Sequence, residues 1–137
     1  MTPDDGPSKI VCNWIHLTDF AVVDSMGKAI LVGVFDRIYA TRVPVAHPIC
    51  FLALELDGPP GLKTQLRLQI QRPGGLGGIM DLPVVCEFGT EGRANFMIRL
   101  DQLQLPDYGS YRILVSGGPD VIKTSGLSVL APPKAGH

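Results

Sequence analysis

The stretch LPDYGSYRILVSGG, residues 105–118, decides the fold of this chain. Its second half alternates in polarity, which predicts a β-strand with one buried and one wet face. The predicted inward side chains are Tyr111, Ile113 and Val115, and the predicted outward ones are Ser110, Arg112 and Ser116. The glycine pair that closes the stretch predicts a tight reversal into one further strand.

The start of this stretch carries a second pattern, Asp107-x-Gly109-x-Tyr111. It resembles the corner motif of immunoglobulin-like sandwiches, in which a tyrosine at the start of the penultimate strand bonds through its hydroxyl to backbone a few residues upstream. The resemblance implies that Gly109 adopts a backbone conformation that a Cβ would oppose. Ile113 stands where antibody domains have a cysteine, so ordinary packing must replace their disulfide. The alternative is that Tyr111 is an ordinary strand aromatic.

Alternating runs recur along the chain, and glycine- and proline-rich turns separate them. We predict strands near residues 10–23, 28–35, 49–57, 62–71, 79–88, 93–101, 109–116 and 121–130. Eight short strands without a convincing helix predict an all-β fold, either an antiparallel two-sheet sandwich of immunoglobulin-like type, which we favour, or a barrel. The domain is expected to span residues 9–130, between flexible tails at 1–8 and 131–137.

Composition narrows the classes of partner. The chain has 137 residues, 45% of them hydrophobic, and a net charge of −1. Neither nucleic acid nor an anionic membrane is therefore an expected partner. There is no apolar run long enough for a membrane span and no basic, apolar leader at the start, so we predict a cytoplasmic protein. The three widely spaced cysteines, Cys12, Cys50 and Cys86, are expected to be buried free thiols.

We find no pattern that predicts catalysis, a cofactor or a metal. His16 lies in an apolar run, and His47 precedes a proline in a loop or at a strand start. Neither is accompanied by a nucleophile motif. The segment RPGGLGG, residues 72–78, lacks the Lys-Ser/Thr pair and the following helix of a phosphate-binding loop. We predict no catalytic residues, no cofactor and no metal, and an enzyme is the least favoured function.

Three predicted strands are apolar on both faces: IVCNWIHL (10–17), KAILVGVF (28–35) and ICFLALEL (49–56). A two-layer sandwich needs only one apolar face per strand. If these strands are adjacent, their outer faces form a patch larger than monomers usually expose. A second copy, another protein or an apolar ligand would cover it. The alternative is that the tails or the segment 35–48 fold over it.

The segment GKAILVGVFDRI, residues 27–38, has the pattern Gly-Lys-x-x-Leu-x-Gly-Val-Phe-Asp-x-Ile. Together with the Leu-Pro-x-x-Gly-x-Tyr-x-x-x-Val element at 105–115, it resembles a family of small uncharacterised bacterial proteins, a domain of unknown function with a predicted β-sandwich. The resemblance implies the fold and no activity. The predicted partner contacts are Leu31, Phe35, Asp36, Arg37 and Phe51, although the step at residues 35–37 also suits a structural role that packs and turns the chain.

The sequence thus favours a non-enzymatic protein-interaction or assembly module, a candidate subunit of a larger bacterial or phage particle. Its partner would be another protein or a second copy, reached through the apolar outer face or by strand addition to an unpaired edge. The alternative function is binding of a small apolar ligand, in a cleft between the sheets or beside the loop at 72–78.

Overall fold

The structure is a computed structural model that describes residues 9–133. Nine strands make up the described chain, and one single turn of 3-10 helix interrupts them at Pro73–Gly75. The strands are β1 (Val11–Val23), β2 (Ala29–Phe35), β3 (Arg37–Tyr39), β4 (Val45–Asp57), β5 (Lys63–Gln71), β6 (Gly78–Glu87), β7 (Arg93–Leu105), β8 (Gly109–Gly117) and β9 (Asp120–Leu130).

The strands form two sheets, and the predicted all-β two-sheet sandwich is confirmed. One sheet has the order β2-β1-β4-β7, and the other has the order β3-β9-β8-β5-β6. All pairs are antiparallel except β3 with β9. The chain crosses between sheets after β2, β3, β4, β6 and β7, as in the Greek-key sandwiches of immunoglobulin type. The protein is therefore an immunoglobulin-like sandwich.

All eight predicted strands are present, and the ninth, β3, was not predicted. Its three residues carry no alternation, and the strand exists because residues 36–40 pair with the end of β9. The Ser128 amide donates to the Asp36 carbonyl, and the Ala40 amide donates to the Leu130 carbonyl, both at 2.9 Å. Strands β4 and β7 also extend beyond their predicted bounds, because their pairing continues to Val45 opposite Leu105.

The predicted tyrosine corner is present at the start of β8. The Tyr111 side chain is fully buried, and its hydroxyl donates to the Asp107 carbonyl at 2.9 Å and accepts from the Asp107 amide at 2.8 Å. Gly109 has φ +124°, and a Cβ there would meet the Pro73 ring at 3.0 Å. Two hydrogen bonds from Arg72 to the Asp107 carboxylate, at 2.8 and 3.0 Å, tie the 72–78 loop to the same corner.

The core lies between the inner faces of the two sheets. Its fully enclosed side chains include Leu52, Leu54, Leu68, Ile70 and Leu127. Cys12, Cys50 and Cys86 are free and buried, as predicted. One prediction about β8 was wrong: Ser116 is buried rather than outward, because a bulge between Val115 and Ser116 interrupts the alternation. The predicted tail at 1–8 and the end of the tail at 131–137 lie outside the described residues.

Candidate functional site

The three strands that are apolar on both faces lie side by side in the four-stranded sheet, in the order β2-β1-β4. The inner face of this sheet packs on the core through residues such as Leu17 and Ala21. The alternate residues of the same strands point their side chains away from the core. The apolar ones among them form what we call the apolar face: Phe20, Val22, Ile30, Val32, Val34, Ile49 and Phe51.

Strand pairing makes the apolar face continuous. Phe20 lies opposite Val32, and Val22 lies opposite Ile30 across the β1–β2 pair. The Phe20 and Phe51 rings meet edge to face with centroids 5.5 Å apart, which joins β1 to β4. Phe51 is half-buried by these neighbours, whereas the other six side chains are between 38% and 53% exposed. Water therefore contacts a contiguous apolar surface.

Polar groups border this surface on two sides. On β7, Arg99 and Asp101 form an exposed ion pair at 2.9 Å on the same outer face. Toward the start of β1, Asn13 donates to both Glu55 and Asp57 at 2.9 Å, and Arg93 also binds Asp57. Hydrogen bonds from Arg93 and Asn13 lower the pKa of Asp57. An apolar centre with a polar rim is the usual anatomy of a protein interface.

The outer face of the five-stranded sheet is different in character. Along β5 it carries Gln65, Arg67 and Gln69, and Arg67 pairs with Asp81 of β6 at 2.9 Å. On this face the exposed Val85 lies opposite the polar Gln65, whereas the face built from β2, β1 and β4 presents apolar side chains that adjoin one another.

The free edge of β2 is also unprotected. No strand in the described part of the chain pairs with its far side, and the strand contains neither charge nor proline. The edge strand β6, by contrast, contains Asp81 and Pro83, β7 contains Arg99 and Asp101, and β3 has three residues. Those features hinder edge-to-edge pairing, and β2 lacks them.

The predicted contact residues fall in three places. Phe51 is part of the apolar face. Leu31 and Phe35 lie on the opposite side of β2 from the apolar face. Phe35 packs against the core beside His47, and the centroids of the two rings are 5.3 Å apart. Asp36 and Arg37 form an exposed ion pair at the end of β2. The role of all five residues as partner contacts stays a prediction.

Sequence reasoning missed most of the apolar face. Ile30, Val32 and Val34 share one side of β2 by alternation, but nothing local in the sequence tells which side of this strand faces water. Phe20 and Val22 were overlooked, although their i, i+2 spacing in β1 was an available signal. The segment 35–48, one predicted cover for this face, instead crosses to the other sheet through β3. It leaves the six exposed side chains open.

The residues considered for catalysis or metal binding do not form a common site among the described residues. His16 stacks on Trp14 with centroids 5.6 Å apart, and His47 is the third residue of β4. Within residues 9–133, no three His, Cys, Asp or Glu side chains are grouped to hold a metal ion. Burial raises the pKa of the Cys12 and Cys86 thiols and that of Cys50 to about 11, which keeps these thiols protonated near neutral pH.

A depression of about 790 Å³ beside the 72–78 loop was a candidate place for an apolar ligand. Its walls are mainly polar or glycine, and include Gln69, Gln71, Arg72 and Arg112. Such a lining does not favour an apolar ligand. The described chain also has no helix of the length and hydrophobicity needed to span a bilayer.

Comparison with known proteins places the chain in a family. A model for a family of unknown function, DUF6941, matches residues 13–130. No curated protein matches the sequence.

Three solved structures are similar to this chain over most of its length. The DNA glycosylase AlkC of Pseudomonas fluorescens, bound to DNA with an abasic site analog, is 12% identical over 90% of this chain and 31% of its own, with a TM-score of 0.52. The GH3 β-glucosidase of Bifidobacterium adolescentis is 6% identical over 95% of this chain and 19% of its own, with a TM-score of 0.50. An immunoglobulin-like protein of Pseudomonas aeruginosa is 14% identical over 90% of this chain and 98% of its own, with a TM-score of 0.48.

This chain therefore spans under a third of the glycosylase and under a fifth of the glucosidase. At such low identity, these likenesses concern the fold and not the activity.

Proposed function

The chain belongs to the DUF6941 family, whose function is unknown, and we propose that it is a non-enzymatic protein-interaction module that binds its partner through the apolar face. The observation that carries this proposal is the contiguity of that face. Phe20, Val32 and Val34 are 48%, 53% and 53% exposed, and they adjoin one another across the β1–β2 pair. A monomer gains nothing from keeping such a surface wet, whereas burying it against a partner is favourable.

The proposed partner presents an apolar protein surface. The apolar face holds no charged side chain, so a charged partner would lose hydration without gaining a counter-charge at the centre. Arg99 and Asp101 at the border supply charges of both signs within 2.9 Å of each other. They fix the orientation of a partner rather than attract one of high net charge.

The cellular location of the protein and its role there form part of the proposal. Three free, buried cysteines suit a reducing compartment, so we place the protein in the cytoplasm. We propose a structural role as an assembly component, for example a subunit of a bacterial or phage particle. Binding of a small apolar ligand draws no support from the polar depression beside the 72–78 loop.

Site-directed photo-crosslinking in the cell that makes the protein tests this function. A photo-reactive residue at Val32 is expected to form a discrete covalent adduct with a protein, and the additional change Val34→Lys is expected to abolish it. The matched control carries the reactive residue at Gln65, which is exposed on the outer face of the other sheet. Equal labelling at both positions, or no protein adduct at Val32, would contradict the proposal.

A further inference from the structure

We infer that the partner of the apolar face is a second copy of this chain, packed face to face about a two-fold axis that runs across the strands. This inference rests on the proposed function and names its partner. Its basis is that a two-fold axis brings complementary charges and complementary side-chain sizes of the outer face of the four-stranded sheet opposite each other.

The outer face is organised in rows that run across the sheet. One row consists of Val34, Thr18, Phe51 and Arg99, which are successive neighbours in the β2–β1, β1–β4 and β4–β7 pairs. The next row on the same face contains Val32 opposite Phe20, and Ile49 opposite Asp101. Each row thus begins with a valine on the edge strand and ends with a charge on β7, and the two charges have opposite signs.

A two-fold axis midway between these rows exchanges them in the second copy. Arg99 of one copy then faces Asp101 of the other, and the reverse pair forms on the other side of the axis. When two opposite charges lie at i and i+2 on one strand, and the same strand of a second copy faces it in the reverse direction, each charge faces an opposite charge. Arg99 and Asp101 therefore favour contact with a second copy of the chain, whereas a face with a single sign of charge would repel a second copy.

The same operation matches large side chains to small ones. Phe20 stands out from the surface at 48% exposure, whereas Thr18 in the neighbouring row is fully covered and small. Exchange of the rows sets Phe20 of one copy over Thr18 of the other. It also sets the valines of β2 over each other. Alternation of large and small residues across facing layers is how stacked sheets interdigitate at about 10 Å separation.

The dimensions and the charge of the chain permit this contact. Four strands about 4.8 Å apart and about five residues of 3.3 Å rise cover roughly 300 Å² in projection. That is less than half of what each partner buries in a standard stable interface, so the contact is a weak, reversible one. A net charge of −1 per chain leaves little long-range repulsion between copies.

Sedimentation velocity over a range of concentrations tests the dimer. The purified chain is expected to move from its 14.7 kDa monomer to twice that mass as concentration rises. Val32→Lys buries two lysines in the contact and should weaken dimerisation at least about 100-fold. Its matched control, Gln65→Lys on the other sheet, should dimerise like the wild type. Because Val32 is 53% exposed, the variant should keep its β-sheet circular dichroism.

A charge-reversal mixture tests the orientation. Arg99→Asp makes the border wholly acidic, and Asp101→Arg makes it wholly basic, so each variant alone should dimerise at least about tenfold more weakly than wild type. Mixed in equal amounts, the two should recover the dimer. The ion pair within each chain is lost in both variants, so only contact between chains explains recovery. No recovery on mixing would overturn the two-fold arrangement.

The results separate this inference from the function on which it rests. A wild-type chain that stays monomeric at about 1 mM overturns the dimer, since an interface this weak is not a specific one. If Val32 nevertheless crosslinks to a protein of another mass in the cell, the interaction function stands and its partner is not a second copy. If Val32 crosslinks to no protein, both fail.

Discussion

The Tyr111 hydroxyl closes a ring of two hydrogen bonds with the backbone of Asp107, donating to its carbonyl at 2.9 Å and accepting from its amide at 2.8 Å. One buried side chain thereby satisfies both backbone groups of the residue that ends the crossover from β7 to β8. Gly109, with φ +124°, gives the chain the bend that brings these groups together.

Removal of this hydroxyl should destabilise the fold. Tyr111→Phe keeps the ring in the core but leaves the Asp107 amide and carbonyl without their partner. We expect a loss of about 2 kcal/mol in the free energy of unfolding, measured by urea denaturation. The melting midpoint should fall by roughly 5–10 °C. Tyr108→Phe, which removes the exposed tyrosine's bond to the Ala40 carbonyl, is the comparison. An equal loss in both variants would argue against a special role for the corner.

The ion pair at the corner should make stability depend on pH in acid. Hydrogen bonds from Arg72 hold the pKa of the Asp107 carboxyl below its usual range. The stabilisation is therefore complete above the ordinary carboxyl pKa near 4 and is lost as the pH falls through the lower value of the folded state.

Asp107→Asn should lower the melting temperature at neutral pH and flatten its dependence on pH below about 4. Thermal unfolding at several pH values between roughly 2 and 7 measures both effects. Asp81→Asn, at the exposed pair with Arg67, serves as control and should change little. A wild-type acid slope retained in Asp107→Asn would show that other carboxyls cause it.

Thr18, which lies among the residues of the apolar face, offers a stabilising substitution. Its hydroxyl oxygen is buried and has no hydrogen-bond partner among the described residues. Thr18→Val keeps the shape and removes the uncompensated polar group, which should raise the free energy of unfolding by about 1 kcal/mol. Urea denaturation measures the gain. Thr18→Ser, which keeps the hydroxyl and loses the methyl group, should be less stable than wild type, and a stabilised serine variant would refute the explanation.

The buried thiol of Cys50 should cause a loss of stability in alkali. Burial, aided by the negative charge of Asp19, raises the pKa of Cys50 from 9.0 to about 11. The folded state holds the proton more tightly, so stability is complete below pH 9 and falls as the pH rises through about 11.

Cys50→Ala should be less stable at neutral pH, because it leaves a small cavity, and its stability should fall less steeply above pH 9. Chemical denaturation at fixed pH values measures this slope. Burial also raises the pKa of Cys12 and Cys86, so part of the slope should remain. An unchanged slope in the variant would locate the effect in those thiols or in Tyr111.

Most of the sandwich could be predicted because its signals are local. Alternation along β5 and β8 marks strands, and glycines and prolines mark the turns between them. The corner was equally visible, since Asp107, Gly109 and Tyr111 act within one short segment. The strand β3 could not be predicted, because three residues become a strand only where β9 offers its free edge.

The sequence predicted only part of the candidate site, the apolar face. The sequence indicated that β1, β2 and β4 carry more apolar residues than one core needs, and it named Phe51. It did not indicate whether Leu31 or Val32 faces water, since both sides of β2 are equally apolar. Pairing with β1 decides this: Phe35 lies opposite the buried Leu17, so Val32 and Val34 take the outer side.

By itself, then, the sequence determined the strands, the corner and an excess of apolar side chains, because period two and turn chemistry act between residues close in the chain. Only the tertiary structure decided that three such strands adjoin, which of their faces meets water, and that Arg99 and Asp101 border it. The reason is physical: strand order and register are set by hydrogen bonds and packing between segments far apart in sequence, and a shift of one residue would turn every side chain to the opposite face.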